Sequence, residues 1–328
     1  MNSRRDLVHK ACLALAGCFV SGIACAAEYP TQTITITLPV GPGTGLDGLA
    51  RAYGDGLQKA LGKPVVIKNM PGSANLSGAF VAKSPADGHT LLVATAGNFA
   101  IAQTLYKQLA YDPAKDFIPI AYYAKSPFIL VTSPQLPVQT VADLVAFSRQ
   151  TDAPVTFSSI GTASPQRLRM ESFLQTAGLT MIHVPYRDTT GTVTDTMSGI
   201  VQTGFMEAGA TIPLIKEKKL KALAVTSAER HPLLPDVPPL WEALGRERSD
   251  DVGWHILVAP ASTPREVVDL LRREVGRIVA TSEFKTLAAG FGLVPIDTPS
   301  VEEMQTFLRS EATKWGALVT RVGLAGSQ

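Results

Sequence analysis

The amino-acid sequence predicts an α/β protein of two lobes, each a doubly wound mixed sheet flanked by helices. Strand-like and helix-like segments alternate almost to the end of the chain, a pattern that lays helices on both faces of a sheet. About ten strands in about 300 residues are more than one sheet of usual width takes up, so two sheets are expected. Three of the strands run into turns rich in glycine and hydroxyl residues that open helices, where ligands of such folds sit.

In order, the strand-like runs are Ile34 to Leu38, Val65 to Lys68, Thr90 to Ala94, Ile129 to Thr132, Val155 to Ser158, Met181 to Val184, Val201 to Phe205, Ala222 to Thr226 and Ile256 to Ala259. They are short and rich in aliphatic and β-branched residues. Helical periodicity covers Leu46 to Leu61, Val141 to Arg149, Gln166 to Ala177 and Val193 to Ser198, then Pro264 to Thr281 and Ser300 to Val322. No internal repeat, low-complexity tract or long linker interrupts the series. The strand at Phe128 to Thr132 and the segment Gly253 to Pro260 are the expected crossings between lobes. Residues 27–127 with 254–328 then make a discontinuous first lobe, and 128–253 the second.

Residues 1–26 read as an export signal. Arg4, Arg5 and Lys10 form a basic start, an apolar run follows from Ala11 to Ala24, and Ala24-Cys25-Ala26 offers a small-residue cleavage site. The mature chain is expected to begin at Ala27, in the periplasm. The apolar run is too short to span a membrane, and no later stretch is long enough. Ser3-Arg4-Arg5-Asp6-Leu7 also fits a twin-arginine signal, but lacks the usual phenylalanine, which favours the Sec route. Leu15-Ala16-Gly17-Cys18 resembles a lipidation site, yet the run stays apolar through Phe19 and Val20.

Composition narrows the function. Cys12, Cys18 and Cys25 are the only cysteines, and all lie in the leader, so the mature protein has no disulfide and must stand on its apolar core. The chain has 30 basic and 28 acidic residues; removing Arg4, Arg5, Lys10 and Asp6 with the leader leaves 27 of each. Nucleic-acid binding needs a basic surface to displace counterions, so no such partner is expected. The run Lys216 to Lys221 reads as a solvated helix end.

Gly43-Thr44-Gly45-Leu46-Asp47-Gly48 matches the G-x-G-x-x-G dinucleotide fingerprint. That reading needs an acidic residue closing the second strand, whereas Pro64 to Asn69 ends in lysine and asparagine; no cofactor is expected. A small anion suits the loop better, because glycines let the backbone approach closely and the N–H groups at a helix start carry partial positive charge. Asp47 would repel an anion as a ligand, so it is expected to act as the N-cap of the following helix. Ser159-Ile160-Gly161-Thr162-Ala163-Ser164-Pro165 has the same grammar ahead of the helix from Gln166, and Thr95 to Phe99 follows a third strand.

Enzyme chemistry is poorly served. His89, His183, His231 and His255 lack metal-ligand spacing, and no G-x-S-x-G elbow occurs. His89 and His231 are expected at the surface, and His183 as a packed or rim residue. No enzymatic activity is expected. A secreted lyase or hydrolase would require Asp47, Glu207 and His183 to meet in the cleft with perturbed pKa values.

Pro39-Val40-Gly41-Pro42-Gly43-Thr44-Gly45-Leu46-Asp47 resembles the Pro-Phe-x-x-Gly-Gly-x-x-Asp opening of the Bug receptors, the periplasmic solute-binding proteins of tripartite tricarboxylate transporters. Further similar motifs follow in family order: Asn69-Met70-Pro71-Gly72, Pro85-Ala86-Asp87-Gly88-His89-Thr90-Leu91-Leu92, Tyr111 to Phe117, His183-Val184-Pro185-Tyr186, Lys219 to Ser227 and Leu234-Pro235-Asp236-Val237-Pro238. The resemblance implies a type II, Venus-flytrap binding protein, a monomer that closes by a hinge over a small carboxylate and hands it to membrane subunits of the transporter. A dedicated sensing module using the same closure fits the same residues.

The resemblance also implies which residues meet the ligand. One carboxylate would be pinned between Val40, Gly41, Gly43, Thr44, Gly45 and Asp47 on one side and Gly161, Thr162, Ala163, Ser164 and Gln166 on the other. The remainder would face Ala96, Gly97, Asn98 and Phe99, then Tyr186, Thr189 and Thr190, then Met206 and Glu207. Val40 replaces an aromatic residue usual in the family, Arg167 a common histidine and Asn75 a usual glycine. Val201 to Met206 lacks both aspartates of the family's Val-Asp-x-x-Phe-Asp. Loss of acid there suits a dianion, and Met206 with Phe99 would pack its body. An aromatic or medium-chain dicarboxylate, such as terephthalate or adipate, is the expected ligand; the alternative is that Glu207 selects an amine-bearing one.

Overall fold

The strands in chain order are β1 (Ile34–Leu38), β2 (Val65–Asn69), β3 (Thr90–Ala94), β4 (Phe117–Ser126), β5 (Phe128–Thr132), β6 (Thr156–Ser159), β7 (Ile182–Pro185), β8 (Thr203–Glu207), β9 (Lys221–Val225), β10 (Gly253–Pro260) and β11 (Val294–Pro295). They form a six-stranded sheet, β11-β4-β10-β3-β1-β2, and a five-stranded sheet, β7-β6-β8-β5-β9. β1 runs parallel to β2 and β3, whereas β10 is antiparallel to β3 and β4. In the second sheet β6 is parallel to β7 and β8, and β5 is antiparallel to β8 and β9. This computed structural model describes residues 29–328 apart from 72, 73, 162 and 163, so the leader and both export alternatives lie outside the described residues.

Period-two alternation gives each sheet two cores. Leu91, Val93, Leu257 and Ala259 enter one core of the first sheet, and their neighbours Leu92, Ala94, Ile256 and Val258 the other. The first core is closed by α1 (Gly45–Leu61) and α9 (Arg265–Ala280). In the second sheet Leu130 and Phe205 point one way, Ile129, Val131 and Met206 the other.

Several elements depart from the local signals. β4 is ten residues long, yet Pro119 within it breaks the strand pattern. The register with β10 shifts between Leu257 and Val258, which pairs with Pro119; an irregularity is where a sheet tolerates a proline. Residues Ala96–Ile101, expected as a loop, form one π-helical turn that continues into α3 (Ala102–Leu105). α2 (Ala74–Ala82) presents Gly78 to Tyr111, whose ring lies 2.2 Å from where a Cβ would stand. Small residues there erase the helical period.

The remaining helices are α4 (Val141–Gln150), α5 (Pro165–Ala177), α6 (Thr189–Ser198), α7 (Ala208–Lys216), α8 (Leu240–Ala243), α10 (Ser282–Gly290) and α11 (Val301–Arg321). Two joints bring the sheets together. At one, Leu168 of α5 enters the core of the first sheet with Trp254 and Trp315, and the Arg169 side chain, 1% exposed, lies over Phe128 and Trp315 and pairs with Asp251 at 3.1 Å. At the other, Gly209 of α7 meets the Phe291-Gly292 turn, where a Cβ on Gly209 would stand 2.0 Å from the Phe291 carbonyl oxygen.

Candidate functional site

The turn after β1 is built around Asp47. Thr44, not Asp47, is the N-cap of α1: its hydroxyl accepts from the Asp47 N–H at 3.2 Å. Asp47 sits third in the helix and reaches back, accepting from the Gly43 N–H at 3.0 Å. Its second oxygen accepts from Asn69 and from Arg51, both at 2.9 Å, and Arg51 Nε adds a bond at 3.1 Å to the first. Burial raises the Asp47 pKa, but the bonds from Arg51, Gly43 and Asn69 outweigh it and hold the carboxyl below its usual range. The capping role expected of Asp47 thus passes to Thr44, because the threonine lies where the chain is still extended (φ −77°, ψ 160°). Asp47 instead ties down the left-handed Gly43 (φ 82°), its charge compensated by Arg51. Asn69 also donates to the Val40 carbonyl at 3.1 Å, so the end of β2 braces the same turn.

The first N–H groups of a helix have no intrahelical acceptor. Here the Asp47 N–H is taken by the cap and the Gly43 N–H, ahead of the cap, by Asp47, leaving those of Thr44, Gly45 and Leu46 with no acceptor among the described residues. Gly45 and Gly48 face Phe291: a Cβ on Gly48 would stand 2.4 Å from its ring. The third glycine of the fingerprint therefore admits an aromatic ring from the far end of the chain.

The turn after β6 repeats the construction. Ser164 caps α5, accepting from the Arg167 N–H at 3.3 Å and donating to the Gly161 carbonyl at 2.8 Å; Pro165 fills the first helical position. Gly161 takes φ 112°, which only glycine adopts at ease. Ser159 Oγ donates to the same Gly161 carbonyl at 3.0 Å, so its contact of 2.7 Å with His183 Nε2 has the imidazole as donor. His183 stacks on Phe157, and burial, reinforced by the Arg167 charge, pushes its pKa down to about 4. Thr162 and Ala163 lie outside the described residues.

Both turns thus present a capped helix start at the carboxyl end of a parallel strand, one in each sheet. Residues 49–324 match the tripartite tricarboxylate transporter family receptor. The chain belongs to this receptor family. It is 30% identical over 319 residues to the protein BugT of Bordetella pertussis, covering 95% of this chain and 97% of that one. Among solved structures, Rpa4515 of R. palustris with adipate superposes with a TM-score of 0.84 at 30% identity, over 90% of this chain and 99% of that one. MatC of Rhodopseudomonas palustris with bound malate gives 0.80 at 27% identity, over 89% and 100%.

Not every residue expected at this receptor's site faces an opening. Ala96, Gly97, Asn98 and Phe99 are buried in the π-helical turn. The Asn98 amide is consumed by Thr95 and the Val93 carbonyl, and Phe99 packs on Phe117. Phe99 and Met206, expected to form one apolar wall, enter cores of different sheets, because a helical turn and the pleat aim them inward. Tyr186 donates to Asp195 at 2.7 Å, and burial with that neighbour pushes its pKa up to about 12. Thr189 and Thr190 open α6, whose cap is Asp188.

Glu207 ends β8; its carboxylate has no hydrogen-bond donor among the described residues, and burial raises its pKa against the pull of Arg169. No hydrogen bond or ion pair among the described residues joins any two of Asp47, His183 and Glu207. His89 and His231, expected at the surface, are buried: His89 accepts from the Thr31 N–H at 3.1 Å, and His231 accepts from that of Leu233. Sequence reasoning passed over Arg51, although its i+4 spacing from Asp47 was a usable signal. It also passed over Phe291, for which no local signal exists. Among the described residues no helix is long and apolar enough to cross a membrane, and no cluster of three His, Cys, Asp or Glu is placed to hold a metal.

Proposed function

We propose that this periplasmic receptor captures a small dicarboxylate between its lobes and delivers it to membrane subunits of the tripartite tricarboxylate type. The supporting observation is the pair of matched turns, Gly41 to Leu46 and Gly161 to Gln166, each with a hydroxyl cap and a left-handed glycine, the first with the N–H groups of Thr44, Gly45 and Leu46 unspent among the described residues. A carboxylate between them is held by partial positive charge from both helix starts. The compensated charge of Asp47 removes the repulsion that its position would otherwise impose. A dicarboxylate is the ligand class in keeping with the adipate and malate in the two neighbours.

Closure follows from differential contact: an open form offers each turn alone, and a bridging anion favours the form in which both reach it. A lobe division at residues 127/128 and 253/254 belongs to the proposal; the gathering of β5 to β9 in one sheet and of the other strands in the second supports it. Export by the leader, with cleavage after Ala26, belongs to the same proposal.

A thermal-shift screen tests the reading, using mature protein refolded after stripping any ligand. Ligands of the folded state raise the midpoint by mass action, by ~2.7 kcal/mol at about a hundred times Kd. A selective shift with one dicarboxylate is expected. A flat response across aliphatic, aromatic and amino dicarboxylates, tricarboxylates and monocarboxylates would refute the carboxylate reading.

A further inference from the structure

The Phe291-Gly292 turn touches the starts of two helices that pack on different sheets. It is carried by α10, whose Phe284 and Ala288 enter a core of the first sheet, as does Leu293 after the turn. α7 instead places Ala208 and Ile212 in a core of the second sheet. The turn is closed by its own bonds. The Phe291 N–H donates to the Leu287 and Ala288 carbonyls, that of Gly292 to Ala289 at 2.9 Å and that of Leu293 to Ala288 at 2.9 Å. Gly292 is left-handed (φ 67°), the conformation that commonly ends a helix. A turn so tied moves with α10 as one piece.

One atom lies between the two helix starts. The Phe291 carbonyl oxygen would stand 3.3 Å from a Cβ on Gly45, the first residue of α1, and would overlap one on Gly209, the second residue of α7. The Phe291 ring fills the face of α1 that Gly48 leaves bare, and a Cβ on Gly292 would stand 2.7 Å from the Gly209 nitrogen. His231 completes the grip from the side of the second sheet. Its Nδ1 accepts from the Leu233 N–H, so its Nε2 is the donor to the Gly292 carbonyl at 3.4 Å. Leu234, whose N–H donates to the His231 carbonyl, enters the same core as α7. With glycine at each approach, no side chain is there to bend aside, and packed interiors transmit strain. A shift of α7 is therefore passed to the turn, and from the turn to the start of α1, where the N–H groups of Thr44, Gly45 and Leu46 are unspent.

We infer that Phe291 is a positioning residue of the receptor, which sets the direction of the first anion turn and couples it to the seat of the second lobe. This inference rests on the carboxylate-receptor reading. Coupling is reciprocal, so the affinity that the joint lends to the ligand is returned by the ligand to closure.

The test is a double-mutant cycle on affinity, with wild type, Phe291→Leu, Gly209→Ala and the double variant. Each is titrated calorimetrically with succinate, malate, adipate, terephthalate, glutamate and citrate, at a temperature where circular dichroism shows it folded. Phe291→Leu and Gly209→Ala should each weaken the best-bound compound by about 10-fold, a usual size for coupled sites. The double variant should lose far less than the product of about 100-fold, because both changes act through one turn. Without ligand, the amide NMR signals of Thr44 to Leu46 should shift in Gly209→Ala. Phe291→Leu leaves every backbone contact in place and keeps the test open should Gly209→Ala not fold. Unchanged affinities beside a lowered Tm would mean that the joint only packs, which overturns the positioning role and leaves the receptor reading standing. Losses that multiply in full overturn the coupling. Wild type that binds none of the six compounds overturns the receptor reading and this role with it.

Discussion

Replacing Asp47 by asparagine separates the two jobs of that residue, bracing the turn and balancing Arg51. The carboxylate accepts four hydrogen bonds, two on each oxygen. An amide offers one oxygen and one NH2 group, so in either orientation two of the four donors meet another donor. Arg51 is half exposed and rehydrates at little cost, so the loss falls on the Gly43 N–H or the Asn69 amide. Counting one such bond to a charged group gives about 2 kcal/mol, from a range of ~1.5–3. For a cooperative unit of lobe size that corresponds to a Tm lower by ~4–8 °C.

Acid supplies an internal control. The native Asp47 pKa lies below that of the unfolded chain, so its stabilisation is present above about pH 4 and is lost as pH falls through the depressed native value. Calorimetry of wild type and Asp47→Asn should therefore show a gap at neutral pH that closes in strong acid. A Tm difference below ~1 °C at pH 7 would refute the bracing role, because the expected effect is several times larger. A gap that persists in strong acid would trace the loss to something other than the charge.

Two further outcomes follow from the same geometry. His183 has a native pKa pushed down to about 4, so its share of stability is full above the ordinary value near 6.5 and fades as pH drops towards 4; His183→Asn should flatten that slope, and an NMR titration midpoint above 6 would contradict the reading. Gly209→Ala puts a Cβ against the Phe291 carbonyl, a backbone atom that cannot swing away, and should cost ~1–3 kcal/mol or force the joint apart; an unchanged Tm would show that the joint yields freely.

Much of this architecture is written locally. The alternation of Ile34 to Leu38, the left-handed glycine at 43 and the hydroxyl at 44 specify strand, turn and capped helix within a dozen residues, and Ser164-Pro165 does the same ahead of α5. Period two, period 3.6 and capping are properties of neighbours in sequence, so they survive without knowledge of the fold. The long strand with Pro119 was illegible because its tolerance depends on a register shift against β10, a partner more than a hundred residues away.

The site divides along the same line. The sequence by itself determined two glycine- and hydroxyl-bearing helix starts and a resemblance that the family match bears out. Tertiary structure decided that Asp47 is compensated by Arg51 and Asn69, that Gly48 makes room for Phe291, and that Phe99 and Met206 turn into separate cores. Each of these depends on which side chain from a distant element arrives within hydrogen-bond or contact distance. Such encounters are set when the sheets and helices pack, and no local period encodes them.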